Sequence, residues 1–192
     1  VPENIYAAVS AHIEPPIALP DVGQARRAGN YPATARATEG RMKIAMPLWS
    51  LTRLRGGTER AGSELANAFA RRGHEVIIFT SGLDPLPPLY PLHPSVRLEY
   101  NLIQLRSSRS GLDALRRQVC AHSPDVLLGL GSDAVLLSHA GMVHGTSTAL
   151  VLSDRTAPHI TGGVNWNQPD RVTAFAAAHR IHCLLPGYAA SY

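Results

Sequence analysis

Lysine is almost missing from this chain: Lys43 is the single lysine, and the other 17 of the 18 basic residues are arginine. The formal net charge of +4 asks whether the partner is nucleic acid, an anionic membrane or a phosphorylated ligand. The arginines are scattered, with pairs at Arg26-Arg27, Arg71-Arg72 and Arg116-Arg117, and form no stripe. The excess therefore reads as an Ala-, Arg- and Pro-rich composition and not as a nucleic-acid footprint. Cysteine is equally scarce. Cys120 and Cys183 stand in no Cys-x-x-Cys pair and have no histidine at zinc-ligand spacing. That argues against a disulfide framework and a structural zinc, fits a reducing cytoplasm, and predicts two buried, inert thiols. No apolar run approaches the ~20 residues of a membrane span. Charged residues make up 17% and hydrophobic ones 45% of 192 residues, the composition of a soluble globular chain with one core, or one core and a tail.

Residues 1–41 lack a charged-then-apolar leader pattern. They carry Pro15-Pro16, Pro20 and Pro32 with little periodicity, and read as an irregular tail or linker, with a short helix at Ile5 to Ile13. From Met42 the pattern sharpens. Lys43 to Pro47 reads as a strand, and a helix follows Gly57, with Ala61, Leu65, Ala66 and Phe69 on its buried face and Gly73 closing it. Glu75 to Thr80 is a β-branched strand, completing a βαβ unit of about 38 residues. A Pro-rich loop precedes a third strand at Val96 to Tyr100. A helix marked by Leu112, Leu115 and Val119 leads to a fourth at Val126 to Leu130. Another helix, with Val135, Leu136 and Ala140 on one face, leads to a fifth at Thr148 to Leu152. A helix marked by Val172, Phe175, Ala176 and His179 leads to a sixth at Ile181 to Leu185, and Pro186-Gly187 opens a last helix. Uniformly apolar strands alternating with helices predict an α/β fold: a doubly wound, mostly parallel Rossmann-like sheet with helices on both faces. Ligands of such sheets bind beyond the carboxyl ends of the strands, where Ser50 to Arg60, Gly131 to Asp133 and Ser153 to Trp166 lie.

Two phosphate motifs are absent. The first loop is neither Gly-x-Gly-x-x-Gly nor a loop ending in Gly-Lys-Ser/Thr. What it has is Arg55-Gly56-Gly57-Thr58-Glu59-Arg60. Either this is a tight strand-to-helix turn with Thr58 as N-cap, or its glycines let backbone N–H groups meet an anion. Ser132 after Gly131 serves as a helix cap or as a second such donor, with Asp133 complementing the helix dipole. In the third loop, Asp154 suits a base or a sugar-hydroxyl acceptor and Arg155 a bidentate anion ligand, unless the two simply form a surface ion pair worth at most ~1 kcal/mol. His74, at a helix-to-strand turn, reads as structural; His144 and His159 stay open.

The order and wording of these pieces resemble the N-terminal, acceptor-side domain of family 4 (group 1) glycosyltransferases with the GT-B fold. The resemblance spans residues 42–192. It rests on Met42-Lys43-Ile44-Ala45, Gly56-Gly57-Thr58-Glu59-Arg60, Leu65 to Val76, Ser123-Pro124-Asp125-Val126, Ser153-Asp154-Arg155, Ala178-His179-Arg180-Ile181 and Leu185-Pro186-Gly187-Tyr188. It implies a retaining transfer of a sugar from a nucleotide-sugar donor to a glycan or lipid-linked acceptor, with no cofactor or metal, as in polysaccharide biosynthesis. Gly56, Gly57, Thr58 and Ser132 would face the donor diphosphate and sugar. Glu59 and Arg60 would shape the acceptor side, and Asp154 and Arg155 would carry the catalytic position near the transferred sugar, where many relatives have a His or Glu. Helix N-termini and arginine can neutralise a leaving diphosphate.

The family's donor-binding C-terminal domain does not follow in this sequence. The chain alone would then hold half an active site and be inactive: a fragment of a longer enzyme, a split enzyme completed by a separate chain, or a degenerate remnant, at the cytoplasmic side and near a membrane if its acceptor is lipid-linked. The competing reading is a stand-alone Rossmann-like binding module. A phosphate-ester enzyme on the same fold lacks a nucleophile–base pair in the sequence.

Overall fold

The computed structural model describes residues 40–48, 51–52, 56–80, 87–100, 109–131, 133–155 and 168–183. The expected helix at Ile5 to Ile13, the tail to which it belongs, the helix after Pro186-Gly187, Arg55, Ser132 and His159 lie outside them. The elements alternate as β1 (Lys43–Leu48), α1 (Gly57–Arg71), β2 (Glu75–Thr80), β3 (Arg97–Tyr100), α2 (Arg109–Ala121), β4 (Val126–Gly131), α3 (Asp133–Val143), β5 (Ala149–Asp154), α4 (Gln168–Ala177) and β6 (Arg180–Cys183). The six strands form one sheet in the order β3-β2-β1-β4-β5-β6, parallel at every described pairing. This is the doubly wound Rossmann-like fold expected from the alternation. Its topological switch point lies between β1 and β4, where the chain first crosses to one side and then to the other.

Strand alternation sorts the apolar side chains into two cores. Ile44, Met46 and Leu48 of β1 join Val76 and Ile78 of β2 beneath α1, with Ala66 and Ala70. Ala45, Ile77, Phe79, Leu127, Leu150 and Leu152 face the other way, onto Leu115 and Val119 of α2, Leu136 and Ala140 of α3 and Ala174 of α4. Each fully buried Leu or Ile contributes about 1.5–3 kcal/mol. The buried line of α1 is Glu59, Gly62, Ser63, Ala66 and Ala70, so the helix seats on small residues. Of the expected face, Ala66 is buried, while Ala61, Leu65 and Phe69 flank the contact half-buried. The reason is close approach: a Cβ at Gly62 would stand 2.6 Å from Leu48 Cδ1. On α4 the expectation is likewise turned. Val172 is 60% exposed and Ala176 is exposed, while Arg171 and Ala174, three residues apart, point inward.

The end of α1 follows from Arg72-Gly73-His74. Gly73 takes φ +87, the left-handed conformation that a Cβ would strain. His74 N–H then donates to Phe69 O (3.1 Å) and Gly73 N–H to Ala70 O (3.0 Å), the paired bonds of a Schellman terminus. The His74 ring packs edge-on against Phe69, centroids 6.1 Å apart. Its Nδ1 accepts the Met42 N–H at 3.1 Å, so this histidine is structural, as expected. Asp125 repeats the device just before β4: its Oδ2 accepts the Lys43 N–H at 2.8 Å. His179, just before β6, accepts the Leu150 N–H at 3.0 Å. Each of these side chains satisfies a backbone donor at the start of a neighbouring strand, which would otherwise be unpaired.

Pro47 sits in β1, a central strand, where proline is rare because it brings no ladder donor. The backbone of Lys43 faces β4, since its O accepts from Asp125 N and its N–H donates to Asp125 Oδ2. Met42 faces β2, its O accepting from Glu75 N. By alternation Pro47 turns its missing donor toward β4. The pairing agrees: β1 runs with β2 from Lys43 to Leu48, but with β4 it registers only at Ile44↔Val126 and Ala45↔Leu127. The hydrogen-bond ladder between β1 and β4 thus stops short of their carboxyl ends, at the switch point, while the two strands stay side by side.

Candidate functional site

The carboxyl edge of the sheet carries the start of α1 and the ends of β4 and β5. α1 begins with Gly56 as N-cap, its backbone extended (φ −85, ψ 169), and no side chain caps the helix. Thr58 is therefore not the cap that the turn suggests; it is the second helical residue. The first rung of the helix is Arg60 N–H to Gly56 O at 3.2 Å, so the N–H groups of Gly57, Thr58 and Glu59 precede the ladder. Gly57 is exposed, and a Cβ there would meet nothing within 4 Å. No packing constraint asks for glycine at this position. Gly56 differs, because a Cβ there would run into the Glu59 carboxylate. Glu59 is buried, folded back over the helix start, where its charge suits the dipole but competes with any anion drawn to the same N–H groups. Arg60 is exposed.

At β4 the glycines have a packing reason. A Cβ on Gly131 would lie 2.8 Å from Val135 Cγ1, and one on Gly129 would collide with the His139 imidazole. α3 is therefore laid directly on the β4 backbone. His139 is a residue the sequence does not single out. It is buried, its Nδ1 has no hydrogen-bond partner among the described residues, and burial lowers its pKa from 6.5 to about 4. It is a neutral core histidine.

β5 continues through Ser153 and Asp154, beyond the expected end at Leu152. Both residues are thereby strand residues and not loop residues. Asp154 is 2% exposed, on the same face as Leu150 and Leu152. Its ion pair is with Arg171 of α4, Nη1 to Oδ2 at 3.5 Å. The Asp154–Arg155 surface pair considered from sequence is not what forms. Arg171, itself 2% exposed, is the site residue that sequence reading misses; its only local signal is its place three residues before the inward-facing Ala174. Arg155 is fixed through its N–H to Gly131 O at 2.9 Å. Its Nε is buried without a hydrogen-bond partner among the described residues, and burial lowers the guanidinium pKa below the usual arginine value. Cys183 pairs in register with Asp154; burial first, then the Asp154 charge, raises its thiol pKa. Both cysteines are half-buried free thiols, less enclosed than expected.

One serine–histidine contact does form: Ser153 Oγ and His182 Nδ1 share a hydrogen bond of 2.8 Å between β5 and β6. Ser153 is 1% exposed and its strand neighbour Asp154 points to the opposite face, so the pair is a closed cross-strand link and not a nucleophile with its base. No group of three or more His, Cys, Asp or Glu that could hold a metal occurs among the described residues. A cavity of about 120 Å³ lies near the opposite edge of the sheet, lined by residues including His144, Thr146, Thr148 and His179. Thr146 and Thr148 hydroxyls donate to the Val143 and Pro124 carbonyls, and His179 holds Leu150. Their polar groups serve the backbone. No helix of the described residues is long and apolar enough to cross a membrane.

No known family profile matches the chain, and no curated protein matches it. Solved structures do. A protein assigned as a UDP-N-acetylglucosamine 2-epimerase from Listeria monocytogenes superimposes with TM-score 0.56 at 12% identity, over 79% of this chain and 41% of that one. Sucrose-phosphate synthase from Thermosynechococcus elongatus gives 0.55 at 13%, over 73% and 42%. The UDP-GlcNAc 2-epimerase of Methanocaldococcus jannaschii gives 0.51 at 13%, over 78% and 41%. The chain spans about two fifths of the length of each. At these identities the likeness is one of fold: a Rossmann-like unit of the kind found in GT-B-type glycosyltransferases and epimerases.

Proposed function

We propose that residues 42–192 form the acceptor-side domain of a retaining GT-B glycosyltransferase, which moves a sugar from a nucleotide-sugar to a glycan or lipid-linked acceptor. A second, donor-binding domain, in cis or in trans, completes the site. The observation that carries this reading is the β1–β4 switch point, where the ladder stops at Ala45↔Leu127, with the start of α1 following β1 and Arg155, tied to Gly131, following β5. A switch-point edge with helix-start N–H groups and an arginine suits a diphosphate. Gly57 gives the backbone access, and Gly56 and Thr58 complete the turn. Glu59 and Arg60 stand on the acceptor side, and Arg155 stands by the transferred sugar, while Asp154 is buried in its ion pair with Arg171. Ser132, between β4 and α3, joins the donor side.

As the leaving diphosphate gains charge, the helix start and Arg155 stabilise it more than the ground state, which is the form of binding that accelerates transfer. The solved folds that this chain resembles include enzymes named for UDP-GlcNAc and for sucrose phosphate, which favours a nucleotide-sugar as donor. The test is to express the whole reading frame containing this chain, with any separately encoded partner, and to supply a panel of nucleotide-sugars with membrane-extracted acceptors. Release of nucleoside diphosphate coupled to acceptor glycosylation is expected. Neither turnover nor nucleotide-sugar binding by that complete product would overturn the reading, and tight binding by residues 1–192 alone would favour a stand-alone module instead.

A further inference from the structure

We propose that Asn67 is a positioning residue: by clamping the Pro91–His93 stretch onto α1 it holds the Leu89 N–H against Leu51 O, and so fixes the chain that enters the Gly56-Gly57 helix start. The inference rests on the reading of that helix start as part of the donor site and deepens it. β2 and β3 are parallel neighbours, so the chain must cross between them, a task usually given to a helix. The described part of this connection, residues 87–96, holds no helix or strand. Pro87, Pro88, Pro91 and Pro94 lack the backbone donor that regular structure needs. The segment takes its partners from α1 and from Leu51 instead. Asn67 Nδ2 donates to Pro91 O at 2.9 Å, and Asn67 Oδ1 accepts the His93 N–H at 2.6 Å. One side-chain amide thus stands in for a neighbouring strand, meeting an acceptor and a donor two residues apart. Leu92 between them, and Val96, pack against the core beneath α1. Val96 N–H closes a turn onto His93 O at 2.9 Å, with Pro94 at its second position, where proline is favoured. At the other end of the strap Leu89 N–H donates to Leu51 O at 2.8 Å.

The result is a closed brace. α1 carries Asn67, Asn67 holds the strap, and the strap holds Leu51, which precedes α1 in the chain. The Leu51 side chain is 1% exposed, and the bond from Leu89 fixes its carbonyl as well. Residues 52–56 then join a pinned point to the first turn of α1. A shorter unpinned stretch costs less entropy to order, a cost that would otherwise fall on ligand binding. Asn67 lies about 15 Å along the helix from Gly57, so it acts through the strap and not by touching a ligand.

The experiment reads amide hydrogen exchange in the chain and the kinetics of the complete product with a nucleotide-sugar donor. Alanine is a better helix former than asparagine, so Asn67→Ala does not weaken α1 itself. It is expected to speed exchange of the Leu89 amide about tenfold or more, and of the Arg60 amide, which makes the first helical rung to Gly56 O, about threefold or more. Leu150, whose N–H is held by His179, is expected to keep its rate. Asn67→Asp keeps an acceptor for the His93 N–H but no donor for Pro91 O, and should fall between. In the complete product Asn67→Ala is expected to raise KM for the donor about three- to tenfold, with kcat within about twofold of wild type, because the ordering cost falls on binding. Leu89→Pro removes the other end of the brace. It is expected to reproduce the Arg60 and KM changes, and the double variant to be no worse than Leu89→Pro alone. Additive effects in the double variant, or an unchanged Leu89 rate in Asn67→Ala, overturn the proposal. So does a released Leu89 with Arg60 and KM unchanged, which would make Asn67 a local tie. A complete product without turnover overturns the functional reading, and the exchange rates then decide this one.

Discussion

Gly62 of α1 rests on Leu48 of β1 so closely that a Cβ at position 62 would lie 2.6 Å from the Leu48 Cδ1 atom. Leu48 is itself buried and has little room to move. The glycine at 57, five residues earlier, has open space around it. The two positions therefore separate packing from access.

Alanine at the two glycines is expected to act in opposite ways. Gly62→Ala gains about 1 kcal/mol of helix propensity and loses about 1–3 kcal/mol to overpacking. The net result is a lower urea midpoint. Gly57→Ala is expected to leave stability within about 0.5 kcal/mol of wild type while weakening pyrophosphate binding. Equal binding by Gly57→Ala would remove position 57 from the site.

Pro47 is expected to cost stability through the ladder donor it lacks. Pro47→Val supplies a backbone donor on the β4 side and a β-branched side chain suited to a strand. It should raise stability by about 0.5–1.5 kcal/mol if the ladder extends. Protection of the new amide at position 47 from hydrogen exchange, with slower exchange at Gly129, would report the extension. An unprotected amide at that position would show that something other than the missing donor ends the ladder.

Low pH is expected to destabilise the fold through His139. Its folded pKa, about 4, lies below the unfolded value of 6.5. The neutral ring is therefore favoured in the native state. Its contribution is full above pH 6.5 and is lost as pH falls toward 4, about 3 kcal/mol in all. His179, lowered by burial and then by the Arg180 charge, acts in the same direction. Urea unfolding near neutrality and near pH 4.5 measures the slope. His139→Leu should flatten it markedly, and an unchanged slope would assign the effect elsewhere.

Asp125 tests whether the Ser123-Pro124-Asp125-Val126 run serves the fold. Asp125→Ala leaves the Lys43 N–H without its 2.8 Å acceptor, at a cost of about 1–3 kcal/mol. Asp125→Asn keeps an oxygen in place and should cost less. Ligand binding by the folded variants should not change, since Asp125 stands at the amino edge of the sheet.

Much of the fold was legible because its signals are local. Runs such as Glu75 to Thr80 name a strand by β-branching, and Arg71-Arg72-Gly73 names a helix end. The contact face of α1 was less legible, because a helix seated on Gly62 and Ser63 buries small residues that a hydrophobic pattern passes over. Thr58 looked like a cap because capping depends on a backbone conformation one or two residues away, and here Gly56 takes it.

Residue order by itself determined the alternation of strands and helices, the two phosphate motifs that are absent, and a glycine-marked turn before α1. These follow from propensities and spacings that act over a few residues. Tertiary structure alone decided that Pro47 turns its missing donor toward β4, that Gly129 is reserved for His139, and that Asp154 is answered by Arg171 and not by its neighbour Arg155. Strand order and facing set those partners, and a buried charge is satisfied by whichever cation the packing brings to its side of the sheet.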